Sequence, residues 1–271
     1  RIGNQVFFND LIGTTEEGFS PADNLRPTSA PVNYPHIWST SWFDWVQYDA
    51  SIMQPMIRNA GEALGVSARI NLVNRKDLFA SSVDIDDVFR MEEQLAGPDP
   101  LSAKKFRGLA APEWPEEILG EIKPEKVKLG REIYQKRCAG CHRPATDTEA
   151  FWSDRFWKPI PGGEGRYLDL AVIPQKVIGT DPAQSNILFE REVAVPQLLA
   201  MPEPKIEGGV ICGGESGTVT KKTSFAWALA YVVERTVDHW YDSQTPPTPA
   251  DRRMKMDGNR PNCVQAPRAY K

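Results

Sequence analysis

Two cysteines and a histidine near the middle of the chain form a motif with a defined chemistry. Residues 138–142 read Cys-Ala-Gly-Cys-His. Two thiols three residues apart on a tight turn can each add to one vinyl group of a haem, and the histidine after the second thiol can bind the iron. The motif therefore predicts one covalently attached haem c, held by Cys138 and Cys141, with His142 as an axial ligand.

Half of a zinc site and a redox-active cysteine pair are the alternatives to haem. A zinc site needs further Cys or His ligands at short spacing, but the next cysteine after Cys141 is Cys212. A thioredoxin-like pair belongs to a βαβ pattern, and none surrounds this motif. Haem c is therefore the expectation. Because haem is attached in this way outside the cytoplasm, we expect a periplasmic or otherwise exported protein.

Cys212 and Cys263 are the two cysteines outside the haem motif. In an oxidising compartment two such cysteines more often pair than stay free. Closing a loop of roughly 50 residues contributes about 4 kcal/mol in the chain-entropy account. We therefore predict a disulfide between them.

The sixth iron ligand has several candidates. The chain has three histidines, so His36 and His239 remain once His142 is assigned. His239 lies near the end of a predicted helix, where a histidine is favourable for capping alone. Met201, in a Leu-Ala-Met-Pro sequence, is the first choice within this chain, although a methionine also serves as ordinary core packing.

Composition excludes several classes of protein. The 271 residues contain 41% hydrophobic residues and carry a net charge of −4, which indicates a globular protein of one large or two small domains. There is no basic surplus of the kind found in nucleic-acid-binding proteins. The longest apolar run, from Phe225 to Val233, is far shorter than the about 20 residues of a membrane span.

The sequence predicts a mostly α fold with long loops. Apolar periodicity and capping residues indicate the helices, and a short run of β-branched residues indicates the one convincing strand. The first predicted helix follows a cap at Asp49–Ser51 and ends at Gly61 or Gly65. The other predicted helices cover Val83–Leu95, Val127–Cys138 and Ser224–Trp240, and the predicted strand is Gly209–Cys212.

Residues 129–142 resemble the entry to the second haem domain of bacterial dihaem cytochrome c peroxidases. Those enzymes carry, upstream, a Phe-Trp-Asp-Gly-Arg segment, a helix with a Gln, and then Asn-Pro-x-Glu-Met-Gly. The corresponding stretches here are Phe43-Asp44-Trp45, Gln54-Pro55 and Asn59-Ala-Gly-Glu62-Ala-Leu-Gly65. In sequence these stretches are most similar to the branch that contains the haem-dependent rubber oxygenases.

The resemblance implies a domain plan. Residues 127–271 correspond to a cytochrome c-like haem domain, residues 112–126 to a Pro-rich linker, and residues 1–111 to the remainder of a first, related domain. No first Cys-x-x-Cys-His is present. We therefore expect the chain to be an internal part of a longer protein that carries a second haem.

The resemblance also implies roles for two residues. Trp45 corresponds to the tryptophan that relays electrons between the two haems, and Glu62 to the acid/base carboxylate over the first haem. A glutamate in a partly apolar cavity would have a raised pKa and could shuttle protons. However, Val-Gln-Tyr follows Trp45 in place of Asp-Gly-Arg, and the Asn59 motif lacks its proline.

The expected function is that of an exported c-type cytochrome of the dihaem peroxidase or oxygenase type, an oxidoreductase. Its haem would exchange electrons with a second, catalytic haem that acts on peroxide or dioxygen. The alternatives are a single-haem electron carrier without substrate chemistry and a haem-bearing subunit of a larger redox assembly. The expected partner is a redox protein or a second haem domain.

Overall fold

The computed structural model describes residues 2–27, 36–47, 49–160, 164–179, 182–215, 217–265 and 269–270. Tyr34 and Tyr48, part of an aromatic-rich stretch, lie outside the described residues. The helices are α1 Ile2–Phe7, α2 Pro55–Val66, α3 Ile85–Ala96, α4 Glu116–Leu119, α5 Pro124–Arg137, α6 Gln175–Ile178, α7 Ala183–Glu190, α8 Phe225–Ser243 and α9 Ala250–Met256. The strands are β1 Trp157–Pro159, β2 Arg166–Leu168, β3 Ile173–Pro174, β4 Glu192–Ala194, β5 Pro204–Glu207, β6 Val210–Gly214, β7 Lys222–Ser224, β8 Val264–Gln265 and β9 Ala269–Tyr270.

Helix α2 begins at a glutamine and packs closely on α1. The Gln54 side chain accepts a hydrogen bond from the Ile57 amide at 2.7 Å, which satisfies one of the free amides of the first turn. The helix therefore starts later than the cap predicted at Asp49. A Cβ atom at Gly65 would lie 2.9 Å from the Cβ of Ile2, so a glycine is needed where the two helices meet.

Helix α3 has a capping residue at each end. The Asp84 carboxylate accepts hydrogen bonds from the amides of Asp86 at 3.0 Å and Asp87 at 3.2 Å. Acidic side chains in this first turn also interact favourably with the helix dipole. Gly97, with a φ of 64°, follows the last helical residue, and this left-handed conformation is one that glycine adopts without strain.

Helix α8 lies at the centre of the molecule. The Ser224 hydroxyl accepts a hydrogen bond from the Trp227 amide at 3.4 Å, and the helix is buried over most of its length. It packs against α2. The main core, a cluster of buried apolar residues, includes Val6 from α1, Leu64 from α2 and Val233 from α8. Residues from both sides of the Pro-rich stretch thus share one core.

The strands form small antiparallel sheets. Among the described residues the pairings are β1 with β2, β3 with β9, β4 with β7, and β6 between β5 and β8. In the last sheet Val210 is opposite Gln265 and Ile211 is opposite Val264. Most of these strands contain only two to four residues, so each is stabilised by its partner and by burial rather than by its own length.

A second, smaller hydrophobic cluster lies outside the main core. Its buried members are Phe151, Phe156, Trp157 and Leu168. Half-buried residues from two earlier segments, including Trp42 and Phe106, pack around them. We call these residues the second cluster.

The predicted fold class is wrong. The sequence predicts a mostly α protein with a cytochrome c-like domain at residues 127–271, whereas the described residues form a mixed α/β structure with several small sheets. Helix α8 packs on α2 instead of on α5, and α5 has no buried residue. The reason is that the first half of α8, residues 225–233, is apolar on every side and joins the larger core. None of the described helices combines the length and the apolar character needed to cross a membrane.

Candidate haem attachment site

The Cys-x-x-Cys-His motif forms a tight turn at the end of α5. The Cys138 amide donates to the Tyr134 carbonyl at 2.7 Å, which completes the helix. The amides of Cys141 and His142 then both donate to the Cys138 carbonyl, at 3.0 and 2.9 Å. Both thiols and the imidazole are therefore presented from a single turn, as attachment to one haem requires.

The cysteines of the chain fall into two pairs with different states. Cys138, half-buried, and Cys141, exposed, are free thiols. Cys212 and Cys263 are joined in a disulfide, with their Cα atoms 4.2 Å apart. The bond links β6 to the residue before β8, beside the main core. The thiols that the haem chemistry needs are thus the ones left unpaired.

The residues around the motif connect it to the second cluster. The Tyr134 hydroxyl donates to the Arg143 carbonyl at 2.6 Å, and its ring centroid lies 6.5 Å from that of His142. Arg143 donates from Nε to the Asp169 carbonyl at 2.8 Å. Its guanidinium lies 4.7 Å from the centroid of the Phe156 ring. Burial lowers the pKa of Arg143, and the nearby carboxylates of Asp169 and Asp44 oppose that shift.

Apolar side chains are uncovered on the segment that leads to the motif. We call residues 112–147 the motif arm; none of its residues is buried. A segment with this many exposed apolar side chains and no buried one is not part of either hydrophobic cluster. The exposed large apolar residues of the arm are Trp114, Ile118, Leu119, Ile122, Val127, Leu129 and Ile133.

The structure does not bring the proposed sixth ligand to the motif. Met201 is 0% exposed and belongs to the main core. Its carbonyl accepts a hydrogen bond from the Thr220 amide at 2.8 Å. His142, by contrast, is exposed on the motif arm. The other two histidines are also separate from the motif in sequence, with His36 exposed and His239 half-buried near the end of α8.

Glu62 and Trp45, to which the family resemblance assigns roles, lie in α2 and in the loop before it. Glu62 is exposed on α2 and accepts a hydrogen bond from the Gln47 amide nitrogen at 2.9 Å. Asn59 donates to Glu92 at 2.9 Å. Trp45 is half-buried in the loop before α2. Glu62 is therefore not enclosed in an apolar cavity of this chain, and the roles of Glu62 and Trp45 stay predictions.

The second cluster is the feature next to the motif that sequence reasoning missed. The indole rings of Trp152 and Trp157 are stacked, with centroids 5.8 Å apart and an interplanar angle of 7°. The Trp152 indole N–H donates to the Thr146 carbonyl at 2.8 Å. The sequence feature that indicates this cluster is a Phe-Trp pair that recurs after five residues, at 151–152 and 156–157.

Cys138, Cys141 and His142 supply two thiols and one imidazole. Zinc in such sites takes four protein ligands, whereas covalent haem needs two thiols and one imidazole. The described part of the chain contains no group of three or more His, Cys, Asp or Glu side chains that could hold a metal ion. The motif supplies the smaller set that haem requires.

Comparison with known proteins gives one relative and no family. No family model matches the chain, and no solved structure matches it. "Uncharacterized protein y4iJ" of Sinorhizobium fredii (strain NBRC 101917 / NGR234) is 45% identical over 272 residues. The alignment covers 100% of this chain and 41% of the relative. The chain thus spans about two fifths of the length of the curated relative that it matches.

Proposed function

We propose that this chain is the haem c-bearing part of a redox protein and that its function is electron transfer through that haem. The observation that supports this most directly is the state of the cysteines. Cys138 and Cys141 are free thiols on one exposed turn with His142, while the other two cysteines are paired in a disulfide. A disulfide elsewhere in the chain also fits an exported protein, the compartment in which haem c is attached.

Each residue of the motif has a separate task in this proposal. Cys138 and Cys141 would hold the haem through thioether bonds formed when their thiols add to its vinyl groups, and His142 would supply an imidazole nitrogen to the iron. Tyr134 and Arg143 hold the turn through their mutual hydrogen bond and the contact of Arg143 with Asp169. Bound haem supplies an iron that accepts and donates one electron at a time.

The motif arm supports the proposal through its uncovered apolar residues. A porphyrin has two large apolar faces, so a bound haem gains free energy by burying them and the side chains beside them. Val127 and Ile133 lie on α5, which leads directly to Cys138, and both are exposed. Val127 and Ile133 would supply apolar side chains on the helix that carries a haem attached at Cys138.

For the longer protein we propose oxidoreductase chemistry at a second, catalytic haem that acts on peroxide or dioxygen. The support is the resemblance of Phe43-Asp44-Trp45 and of residues 59–65 to the dihaem peroxidases and to the rubber oxygenase branch. In this proposal Trp45 relays electrons between the haems and Glu62 serves as acid and base. The exposure of Glu62 fits a site whose other wall lies outside this chain.

Covalent attachment is the step to test first. The chain is expressed in the periplasm of a bacterium that attaches haem c, denatured and extracted with acidic acetone, and its intact mass is measured. We expect one haem per polypeptide to remain, and none in the Cys138→Ser/Cys141→Ser variant. Complete extraction of haem from the unaltered protein would refute the proposal.

Two variants of the motif arm then separate the axial ligand from a general effect of substitution. His142→Gln should keep the thioether-bound haem but change its absorption spectrum, because the iron loses an imidazole. Glu132→Gln is the matched control, since Glu132 is also exposed on the motif arm and lies outside the motif. An identical spectrum for His142→Gln and the unaltered protein would exclude His142 as the ligand.

A further inference from the structure

A cavity of about 750 Å³ lies against the outer face of α8. Its volume is within the range of about 300–1,000 Å³ found for small-molecule sites. The lining comes from separated parts of the chain: residues 78–79, residues 198–202, residues 214–215 and 217–219, and residues 231–238 of α8. It includes none of the haem motif residues, nor Trp45 or Glu62. No function described above therefore accounts for this cavity.

One wall of the cavity is aromatic and held in place. The rings of Phe79 and Tyr231 meet edge to face, with centroids 6.2 Å apart. The Tyr231 hydroxyl donates to the Leu199 carbonyl at 3.1 Å, which fixes the orientation of its ring. Leu199 is buried and also lines the cavity. Phe79 is 6% exposed and the Arg235 guanidinium lies over its ring, so the half-buried Tyr231 ring is the apolar surface on which a flat ligand can lie.

The charged groups of the cavity are mostly acidic. Its carboxylates belong to Glu215, Glu234 and Asp238, and Arg235 carries the one guanidinium among the lining residues. Arg235 pairs with Asp238, with Nη1 and Oδ2 3.2 Å apart, and lies 5.7 Å from the centroid of the Phe79 ring. Arg235 is thus paired with Asp238, and the charged lining residues that remain, Glu215 and Glu234, are both acidic.

Helical geometry places these groups together. Tyr231, Glu234 and Asp238 are three, four and seven residues apart along α8, so they lie on one face of the helix. Burial raises the pKa of both Glu234 and Asp238. A positively charged ligand would restore favourable interactions to these partly desolvated carboxylates.

We propose that this cavity binds a small organic cation, an amine with a flat apolar body, whose ammonium group lies against Glu234 and Asp238 and whose body lies on the Tyr231 ring. An ammonium group carries three hydrogen-bond donors and no acceptor, which matches a wall of carboxylate oxygens. An anion of the same shape would meet three carboxylates and one guanidinium that is already paired.

The experiment compares two ligands that share a ring and differ in charge. Tryptamine and indole-3-propionate are titrated into the full chain by isothermal calorimetry at pH 7.5 and low salt. We expect tryptamine to bind at least about 10-fold more tightly, the difference that one charge-assisted hydrogen bond typically makes. Equal affinity for the two ligands, tighter binding of indole-3-propionate, or no binding of either would overturn the proposal.

Variants on α8 locate the bound cation. Glu234→Gln and Asp238→Asn keep the shape of the side chain and remove its charge, and each should weaken tryptamine binding about 10-fold. Asp242→Asn is the matched control on the same helix. Its carboxylate is outside the cavity lining and bonded to Arg253 at 2.6 Å, so binding should change less than about 2-fold.

Two checks keep the result decisive. Melting temperature and circular dichroism are measured for each variant, and a variant that does not fold is replaced in the comparison by the other of the pair. Tryptamine affinity that is unchanged in a folded Glu234→Gln or Asp238→Asn variant overturns the assignment. Haem content plays no part in either measurement, so the outcome is independent of the proposed electron-transfer function.

Discussion

The main core and the motif arm carry similar apolar side chains in opposite surroundings. In the main core, Leu64 of α2 is 0% exposed and packs among residues of α1, α2 and α8. In the motif arm, Leu129 of α5 is 57% exposed, and α5 has no buried residue. The two leucines lie in helices of similar length, so the difference is in tertiary contact and not in secondary structure.

This contrast shows which part of the chain the protein itself stabilises. Helix α8 is held from several sides and has a capping serine, whereas α5 is held mainly by its own hydrogen bonds. Isolated helices of this length are marginal in water. The motif arm therefore depends on something outside the described packing, and in our proposal a haem supplies part of it.

Removing the disulfide should produce the largest loss of stability. The Cys212→Ala/Cys263→Ala variant opens a loop with a sequence separation of 51 residues, and we expect the unfolding free energy to fall by about 4 kcal/mol. The measurement is urea denaturation followed by tryptophan fluorescence. The bond lies beside the main core, so haem attachment at the motif arm should persist in molecules that fold. A loss below about 1 kcal/mol would show that the bond adds little to the core.

Truncating the two leucines tests the contrast directly. Leu64→Ala leaves a cavity in the main core and should lower the unfolding free energy by about 3 kcal/mol. Leu129→Ala, the matched change on the motif arm, should lower it by less than about 0.5 kcal/mol in the haem-free protein. Both are measured by urea denaturation under the same conditions. Equal losses would mean that the motif arm is packed as tightly as the core.

The sequence predicts the features that depend on neighbouring residues. The cap of α3 at Asp84 and that of α8 at Ser224 follow from side chains next to the helix start, and the chemistry of Cys138 to His142 follows from spacing within five residues. The strand at Val210–Gly214 also lies where the short β-branched run indicates it.

Features that depend on residues far apart in the sequence could not be predicted from local patterns. Strand β4 pairs with β7, where Glu192 is opposite Ser224, and neither segment has a pattern that identifies it as a strand. The cavity on α8 likewise depends on Phe79 and Leu199 meeting one face of a helix far along the chain. The sequence predicts the cap of α2 too early because Asp49 and Ser51 are common capping residues. In the structure the Gln54 side chain accepts the hydrogen bond from the Ile57 amide.

The smallest of the expected changes in stability comes from the titration of Asp257, a half-buried aspartate that is bonded to Tyr241 of α8. Burial raises the pKa of Asp257 to about 6, although a hydrogen bond from Tyr241 partly opposes the shift. The Tyr241 hydroxyl donates to its Oδ1 atom at 2.8 Å. Since the ordinary pKa is 3.8, the folded protein binds a proton here more tightly than the unfolded chain does. The contribution of this group therefore favours folding below about pH 4 and is lost as the pH rises through about 6.

The Asp257→Asn variant should remove that dependence while keeping an oxygen that accepts the Tyr241 bond. Between pH 4.5 and pH 7.5 we expect the unfolding free energy of the unaltered protein to change on the order of 1 kcal/mol relative to the variant, allowing for partial exposure to water. The unaltered protein should gain on acidification. Asp251→Asn, which changes an exposed carboxylate on α9, should behave like the unaltered protein. Parallel pH profiles for Asp257→Asn and the unaltered protein would place the titrating group elsewhere, and Asp10, whose pKa burial also raises to about 6, would be the next residue to substitute.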